Sequence, residues 1–190
     1  MFRKGDDGDG QRPDFRGRTA LLLNGTPIAI SATETKLVQD LLVGDTVLAA
    51  GLARDWKAAT VRFSTGAPPG GRFTAIRLQM DGGRELIGSM IQFVLTDRGL
   101  VEMKKITPGD QLIGADGQGV EVSAMTVGIF MLGNHMVATT PQPTTDPTGH
   151  LLLAQGFIVA DYALSMGLAA EGVKTLAGSG EEADQAQPPA

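Results

Sequence analysis

Two stretches of this chain share one pattern, Gln39-Asp-Leu-Leu-Val-Gly-Asp-Thr-Val-Leu-Ala49 and Lys105-Ile-Thr-Pro-Gly-Asp-Gln-Leu-Ile-Gly114. In each stretch an apolar residue is followed by two residues, a Gly-Asp pair, one residue and two apolar residues. Glycine supplies backbone angles that other residues rarely adopt, and aspartate caps turns through its carboxylate. Each stretch therefore predicts a tight turn that feeds a strand. Because the pattern occurs twice, it also predicts a pseudo-two-fold duplicated β unit.

Short apolar runs with β-forming residues fill most of the remaining chain. Clusters of Gly, Pro and Asp separate them, as at Pro68-Pro-Gly-Gly71 and Asp81-Gly-Gly83. Regular short strands between such turns favour an all-β fold with a curled, barrel-like sheet. The last long run, 151–159, is predicted as one strand. Asp161 then fits the N-cap of a short C-terminal helix.

Composition divides the chain into four regions. Residues 1–18 are rich in Gly, Asp and Arg without periodicity, which predicts a flexible leader. Residues 19–162 are predicted to form the β domain, and 163–176 a helix packed on or beside it. Residues 177–190 are polar and acidic, which is typical of a disordered tail.

The overall charge and residue content exclude several classes of function. The formal net charge is −5 over 190 residues and no run is strongly basic, so a nucleic-acid partner is not expected. The apolar runs are too short to span a membrane, and no secretory signal is evident, so we expect a cytoplasmic protein. The absence of cysteine excludes disulfides, thiolate metal sites and thiol nucleophiles. No phosphate-loop motif is present, and no cofactor is expected.

Four segments resemble the Hint module that inteins and hedgehog C-terminal domains share. They follow one another in the family's order: Gly25-Thr-Pro-Ile28, 38–49, Glu85-Leu-Ile-Gly-Ser-Met-Ile-Gln-Phe-Val-Leu-Thr96 and His150-Leu-Leu-Leu-Ala-Gln-Gly-Phe-Ile-Val-Ala-Asp161. The resemblance covers about residues 19–162. It implies a Hint-like curled β-sheet domain.

The chemistry that this resemblance implies needs residues that the chain lacks. Hint chemistry begins when a Cys or Ser side chain attacks its own preceding carbonyl, assisted by a Thr-x-x-His segment. Here the nucleophile position falls at Leu21 or Leu22, and the segment reads Ser89-x-x-Gln92. The terminal His-Asn pair reads Ala160-Asp161. Leucine has no nucleophilic atom, glutamine cannot shuttle a proton near neutral pH, and an ionised carboxylate is a poor electrophile. We therefore expect that self-processing is lost.

The residues that remain at these positions form a predicted vestigial site, which comprises Ser89, Gln92, His150 and Asp161. His150 could assist cleavage near Asp161, or it could form a structural hydrogen bond at the start of a strand, which is the commoner role. His135 and His150 are the only histidines and are weak metal candidates, since a metal site needs more than two ligands.

Together these residues predict a non-catalytic binding or assembly module, a maturation or scaffold partner of another protein. The candidate binding features are the cleft at the vestigial site, the proline-containing loop 139–149 and the final helix, which could also mediate a homo-oligomer. Two alternatives stay open. One is slow self-cleavage near Asp161 with the help of His150, and the other is a weak metal-binding module.

Overall fold

The computed structural model describes residues 19–172 and 175–176, and the predicted leader 1–18 and tail 177–190 lie outside these. The described residues form mostly β-structure with one α-helix, α1 (Tyr162–Ala170), which confirms the predicted fold class. The strands are β1 Leu22–Leu23, β2 Pro27–Ala29, β3 Thr35–Leu37, β4 Thr46–Ala50, β5 Lys57–Thr60, β6 Phe63–Ala67, β7 Phe73–Met80, β8 Glu85–Gly88, β9 Phe93–Thr96, β10 Gly99–Glu102, β11 Gln111–Ile113, β12 Gly119–Phe130, β13 Asn134–Ala138, β14 Leu151–Ala154, β15 Phe157–Ala160 and β16 Thr175–Leu176.

The strands form one curled sheet with antiparallel pairing. Its main path is β3-β2-β14-β15-β9-β11-β12-β7-β8-β1-β13-β6. Strands β10 and β16 extend from β9, while β4 and β5 extend from β14. Strand β1 pairs with both β8 and β13, so the first strand of the domain is inside the sheet.

The two Gly-Asp stretches fold in the same way. Each is preceded by a 3-10 turn, Val38–Asp40 in the first copy and Met103–Lys105 in the second. In each turn the glycine has a positive φ, 99° for Gly44 and 97° for Gly109. In each, the aspartate Oδ2 accepts the N–H of the residue three positions earlier: Asp45 accepts from Leu42 at 2.9 Å, and Asp110 accepts from Thr107 at 2.8 Å. The predicted roles of glycine and aspartate are therefore confirmed in both turns.

A hairpin lies between the two copies and contacts each in an equivalent way. Strand β14 pairs with β4, which follows the first Gly-Asp turn, and with β2. Strand β15 pairs with β9, and the bridge between Gly114 and Phe157 joins it to the end of β11, which follows the second Gly-Asp turn. The duplicated arrangement predicted from the sequence is present in the structure.

The interior contains two main groups of buried apolar side chains and a third, small group of Leu23, Ala75 and Ile87. The larger group lies inside the curled sheet and includes Ile28, Leu78 and Phe157. The second main group lies between the β14–β15 hairpin and α1, where Leu164 and Leu168 of the helix pack with Phe93 and Ile158. The C-terminal helix is therefore part of the core and covers one face of the hairpin.

Within the described residues, no helix is long and apolar enough to cross a membrane.

The predicted extent of the C-terminal helix, 163–176, is wrong beyond Ala170. Gly172 has a φ of 72°, and its N–H donates to the Ala169 carbonyl, which is a common way for a helix to end. Thr175–Leu176 form β16, which pairs with β10. The last part of the chain that the structure describes therefore adds a strand to the sheet.

The predicted single strand at 151–159 is also wrong. Gln155 and Gly156 have φ angles of 53° and 82°, so the chain reverses there. The segment forms the hairpin of β14 and β15, in which Leu151 lies opposite Ala160. This reversal places His150 and Asp161 side by side at the open end of the hairpin.

Candidate functional site

Leu21 lies against Ser89 at the start of the domain. The Leu21 N–H donates to Ser89 Oγ at 3.3 Å, and the Ser89 N–H donates to the Leu21 carbonyl at 3.0 Å. Gly88 permits this approach, because a Cβ there would press on the Leu21 carbonyl and on the Met103 sulfur. Of the two positions that the sequence left open for a nucleophile, Leu21 is the one beside Ser89. Ala20 is fully buried, so the chain before Leu21 already belongs to the core.

Gln92 holds the peptide group that precedes Asp161. Its buried Nε2 donates to the Ala160 carbonyl at 2.7 Å and to the Phe93 carbonyl at 3.1 Å. Ser165 Oγ lies 3.3 Å from the same nitrogen and accepts the Phe93 N–H at 3.4 Å. The amide is thus a fixed hydrogen-bond donor to the end of β15. It has no group that could exchange protons near neutral pH.

The carboxylate of Asp161 is fully buried and joins three elements. Oδ1 accepts the Leu164 N–H at 2.9 Å, so Asp161 is the N-cap of α1, as the sequence predicted. Oδ2 accepts the Thr139 N–H at 3.0 Å, just after β13. The same oxygen lies 2.8 Å from His150 Nδ1, just before β14. Both oxygens are therefore occupied by donors from the protein.

The contact with Asp161 also affects the pKa of His150. Burial of the ring opposes protonation, but the hydrogen bond and the negative charge of Asp161, with a smaller effect from Asp146, outweigh it and raise the pKa of His150. Because a carboxylate only accepts hydrogen bonds, Nδ1 carries a proton whether the ring is neutral or charged. When the ring is protonated, its charge balances the buried negative charge of Asp161.

His135 has different surroundings. Ser64 Oγ donates to the Leu41 carbonyl at 2.6 Å, so its proton is not shared with the ring. His135 Nε2, at 2.8 Å from that oxygen, is then the donor. Partial burial lowers the pKa of His135 and outweighs the charge of Asp40. The Ser64–His135 contact is therefore a structural link, in contrast to a base that activates a nucleophile.

A small cavity of about 10 Å³ lies where the start and end of the domain meet. Its lining includes Leu21, Gln92, His135, Ala160, Asp161 and Tyr162. A cavity of this size has room for about one water molecule. The junction is thus tightly packed, with little space for a substrate.

No group of three metal-binding side chains occurs among residues 19–172 and 175–176.

Three solved structures share this architecture at low sequence identity. The gp41-1 intein is 15% identical with a TM-score of 0.59, and the alignment covers 75% of this chain and 98% of the intein. A bacterial intein-like domain from Clostridium thermocellum is 18% identical with a TM-score of 0.60, and the alignment covers 74% of this chain and 97% of that domain. A DnaB intein from Synechocystis is 14% identical with a TM-score of 0.60, and the alignment covers 75% of this chain and 99% of that intein. The chain has the Hint fold of inteins. Neither a protein-family model nor a curated protein matches its sequence, and this level of identity establishes the fold alone.

On this Hint fold, the four predicted site residues form two groups. Ser89 and Gln92 hold the two ends of the β domain, through Leu21 and Ala160 respectively. His150 and Asp161 form a separate buried, hydrogen-bonded pair. Any role of these four residues in chemistry stays a prediction.

Sequence reasoning missed three hydroxyl side chains: Thr139 and Ser165, which contact these groups, and Ser64, which contacts His135. The sequence marks Thr139 only as the start of a loop, and it gives no signal for Ser64 or Ser165. Ser165 lies four residues after the N-cap of α1, yet its partners at positions 92 and 93 are far away in sequence. No local pattern reports a contact of this kind, because it depends on how the helix packs on the sheet.

Proposed function

We propose that this chain is a non-catalytic Hint-fold module that binds or assembles with another protein. The observation that carries the proposal is the state of Asp161. Its carboxylate is held by donors from three elements, and its carbonyl accepts the Ser165 N–H at 3.0 Å in the first turn of α1. A side chain fixed in this way is not free to attack its own main-chain carbonyl. The closing step of splicing in the resembled family requires such an attack.

The opening step lacks its nucleophile. Leu21 occupies the position beside Ser89, and its side chain is a hydrocarbon. Loss of a nucleophile alone can reduce catalysis by about a million-fold. Gln92 supplies a hydrogen bond to the Ala160 carbonyl but no proton. These replacements support a non-catalytic module in which the Leu21–Ser89 and Gln92–Ala160 hydrogen bonds stabilise the fold.

The start of the β domain and the chain after it are built into the core. Ala20 is buried at the start of the domain, and Ala163, Leu164 and Leu168 are buried after it. Burying one leucine side chain stabilises a protein by about 1.5–3 kcal/mol. Cleavage at either end would therefore remove part of the support of the domain. This favours a module that stays attached to its flanking chain.

The loop 139–149 is the surface that we propose for a protein partner. Its backbone is anchored where the Thr144 N–H donates to the Ala163 carbonyl at 3.1 Å and where Thr139 Oγ1 donates to the Gly149 carbonyl at 2.8 Å. Between these anchors, Pro141-Gln-Pro143 is exposed. A rigid exposed loop binds a partner with a small loss of conformational entropy.

Intact mass spectrometry tests the non-catalytic part of the proposal. The purified protein is incubated for days near neutral pH, together with Ser89→Ala as a matched variant. We expect both masses to stay unchanged. A fragment that ends near Asp161, formed by the wild type and not by Ser89→Ala, would overturn the proposal.

Site-specific photo-crosslinking in the native cell tests the binding part. A crosslinking side chain at Gln142, in the exposed loop, is compared with one at Gln118, in an exposed turn elsewhere. We expect a discrete crosslinked protein from position 142 and none from position 118. Equal patterns from the two positions, or no product from either, would count against the loop as the binding surface.

The alternative of slow self-cleavage near Asp161 has one observation in its favour, the 2.8 Å contact between His150 Nδ1 and Asp161 Oδ2. The mass experiment decides between the two. The metal-binding alternative gains no such support, since His135 and His150 bind different partners in the described part of the chain.

A further inference from the structure

Asn24 and Gly25 occupy the two central positions of the tight turn between β1 and β2. The Thr26 N–H donates to the Leu23 carbonyl at 3.2 Å, and Gly25 has a φ of 94°. A glycine with positive φ at the third position is typical of a type II turn. Because glycine has no side chain, its nitrogen is less shielded than that of any other residue. An asparagine followed by glycine is therefore the pair in which the main-chain nitrogen most readily attacks the side-chain carbonyl carbon.

The side-chain amide of Asn24 joins the turn to two neighbouring segments. Its Nδ2 donates to the Ala67 carbonyl, at the end of β6, at 3.2 Å. A Cβ at Gly133 would overlap this nitrogen, so the absence of a side chain there makes room for the amide. Oδ1 is buried and accepts no hydrogen bond from the described residues. A carboxylate at position 24 would have no proton to donate to Ala67, since carboxylates only accept hydrogen bonds. The site thus stabilises the amide and disfavours the acid.

Gln39 binds the nitrogen that would attack this amide. Its Oε1 accepts the Gly25 N–H at 2.8 Å. In a type II turn the second residue has a ψ of about +120°, which directs the next nitrogen away from the Cβ of that residue. Closure of a five-membered ring requires that nitrogen to eclipse Cβ, so the peptide group between Asn24 and Gly25 must first rotate. This rotation breaks the hydrogen bond to Gln39.

We propose that Asn24 is a site of spontaneous deamidation and that the Gln39–Gly25 hydrogen bond sets its rate. Once Gln39 releases the N–H and the peptide group rotates, the Gly25 nitrogen gives its proton to solvent and forms a bond to Asn24 Cγ. The Cγ–Nδ2 bond breaks, and this nitrogen takes a proton from solvent and leaves as ammonia. Water then opens the cyclic imide to aspartate or isoaspartate.

Solvent has access to the turn. Gly25 is exposed, and a cavity of about 120 Å³ beside it is lined in part by residues 23–26. A cavity of this volume holds several water molecules. The other asparagine of the chain has different surroundings, because Asn134 lies within β13, which pairs with β1 on one side and β6 on the other, and it precedes His135. The chain therefore contains its own unreactive reference.

Peptide mapping by mass spectrometry at mildly alkaline pH measures the reaction. The bound N–H makes the wild-type reaction slow, so the time course extends over months rather than days. We expect Asn24 to convert to aspartate and isoaspartate in the wild type, and about two- to tenfold faster in Gln39→Ala, which lacks the acceptor for the Gly25 N–H. Gln118→Ala, which changes an exposed glutamine in another turn, should react at the wild-type rate. Asn134 should stay unmodified in all three proteins.

A destabilised variant separates local opening of the turn from unfolding of the whole domain. Leu168→Ala changes a buried position far from the turn in sequence and leaves Gln39 in place, so it should react at the wild-type rate. Circular dichroism shows that each variant is folded. Equal rates at Asn24 in the wild type and Gln39→Ala, or equal acceleration by Leu168→Ala, would overturn the proposal.

Conversion of Asn134 as fast as that of Asn24, or an unmodified Asn24 in the wild type at the end of the time course, would also overturn it. Deamidation leaves the chain in one piece and produces no fragment. The result therefore does not depend on whether the chain cleaves itself or binds another protein.

Discussion

Asp161 is the residue on which most hydrogen bonds of the candidate site converge. Its two carboxylate oxygens bind the first turn of α1, the chain after β13 and the imidazole before β14. A buried carboxylate is stable only where donors compensate for its lost hydration. The same contacts that stabilise Asp161 also immobilise it. One side chain thus explains both the local stability and the proposed lack of cleavage.

Replacement of Asp161 should therefore destabilise the domain strongly. Asp161→Ala removes the cap of α1, leaves the Thr139 N–H without its acceptor and leaves the His150 Nδ1–H with only Thr139 Oγ1, 3.1 Å away. We expect the free energy of unfolding to fall by about 3–5 kcal/mol, measured by urea unfolding. Glu121→Ala, which removes an exposed carboxylate on β12, should change it by less than about 0.5 kcal/mol. Similar effects of the two variants would contradict the role given to Asp161.

The raised pKa of His150 predicts a dependence of stability on pH. A raised pKa means that the folded protein binds the proton more tightly than the unfolded chain, whose histidines titrate at about 6.5. The contribution of His150 is thus complete below about pH 6.5 and is lost as the pH rises through the higher folded value. The difference in unfolding free energy between the wild type and His150→Asn should shrink as the pH rises from about 6 to about 9.

The other titrating groups do not obscure this result. His135, whose pKa is lowered, has the opposite dependence on pH, but it is present in both proteins and its effect cancels in the difference. Asp146 is the second negative group that acts on His150, and it too is present in both. A difference that stays constant over this range would show that the His150–Asp161 contact does not depend on ring charge.

At this scale the sequence reveals single roles better than pairings. It predicts Asp161 as an N-cap and His150 as a hydrogen-bonded residue at the start of a strand, and the structure places both there. Their mutual contact stays hidden as long as 151–159 is interpreted as one strand. The turn depends on Gln155, which adopts a left-handed backbone conformation. Glutamine rarely adopts this conformation, so the sequence does not predict a turn there. Once the hairpin is recognised, its register alone places position 150 opposite 161.

Among the elements, the contact between α1 and the loop 139–149 is unusually close. Gly167 lies in the middle of the helix and is buried against the backbone of Thr144. A glycine inside a helix costs about 1 kcal/mol relative to alanine. Here the cost is offset because only the absence of Cβ lets the loop lie on the helix surface. The glycine that weakens the sequence signal for a helix is therefore needed for its packing.

Gly167→Ala should destabilise the protein, although alanine is the better helix former. A Cβ at position 167 would overlap the Thr144 carbonyl and amide, which are backbone atoms and cannot move aside alone. We expect a net loss of about 1–2 kcal/mol in urea unfolding and faster hydrogen exchange in the loop. Gly71→Ala, where a Cβ would meet no atom within 4 Å, should be neutral or slightly stabilising. A stabilised Gly167→Ala would show that the loop is not seated on the helix.

The duplicated turns are the most predictable elements. Their Gly-Asp pattern determines both the backbone angles and the cap, so that local chemistry alone specifies them. The end of α1 is less predictable, since two glycines at 167 and 172 look alike in sequence but have different roles. Gly172 ends the helix with a positive φ, whereas Gly167 remains helical. Only the tertiary contact with Thr144 distinguishes them.

For the whole molecule, the important feature is that the Hint unit and its flanking chain share one interior. The second core group contains residues of β9, β14 and β15 together with two leucines of α1. Ala20, before the first strand, is fully buried as well. A domain that is released from its flanking chain is expected to keep its stability without contacts from that chain. Here α1 and the sheet stabilise each other across Asp161.

This shared interior predicts that a change in α1 will weaken the entire domain. Leu168 is 1% exposed and packs beneath the β14–β15 hairpin, so Leu168→Ala should lower the free energy of unfolding by about 2–5 kcal/mol. Leu42→Ala, at a side chain that is 64% exposed, should change it by less than about 0.5 kcal/mol. Single domains are stable by only about 5–15 kcal/mol, so the loss at Leu168 would be a large share of the total. If α1 were an appendage, urea would unfold the helix separately and the sheet transition would keep its midpoint. A single transition shifted by Leu168→Ala would instead show that the chain after Asp161 contributes to the stability of the whole domain, which supports the proposed module that stays attached to its flanking chain.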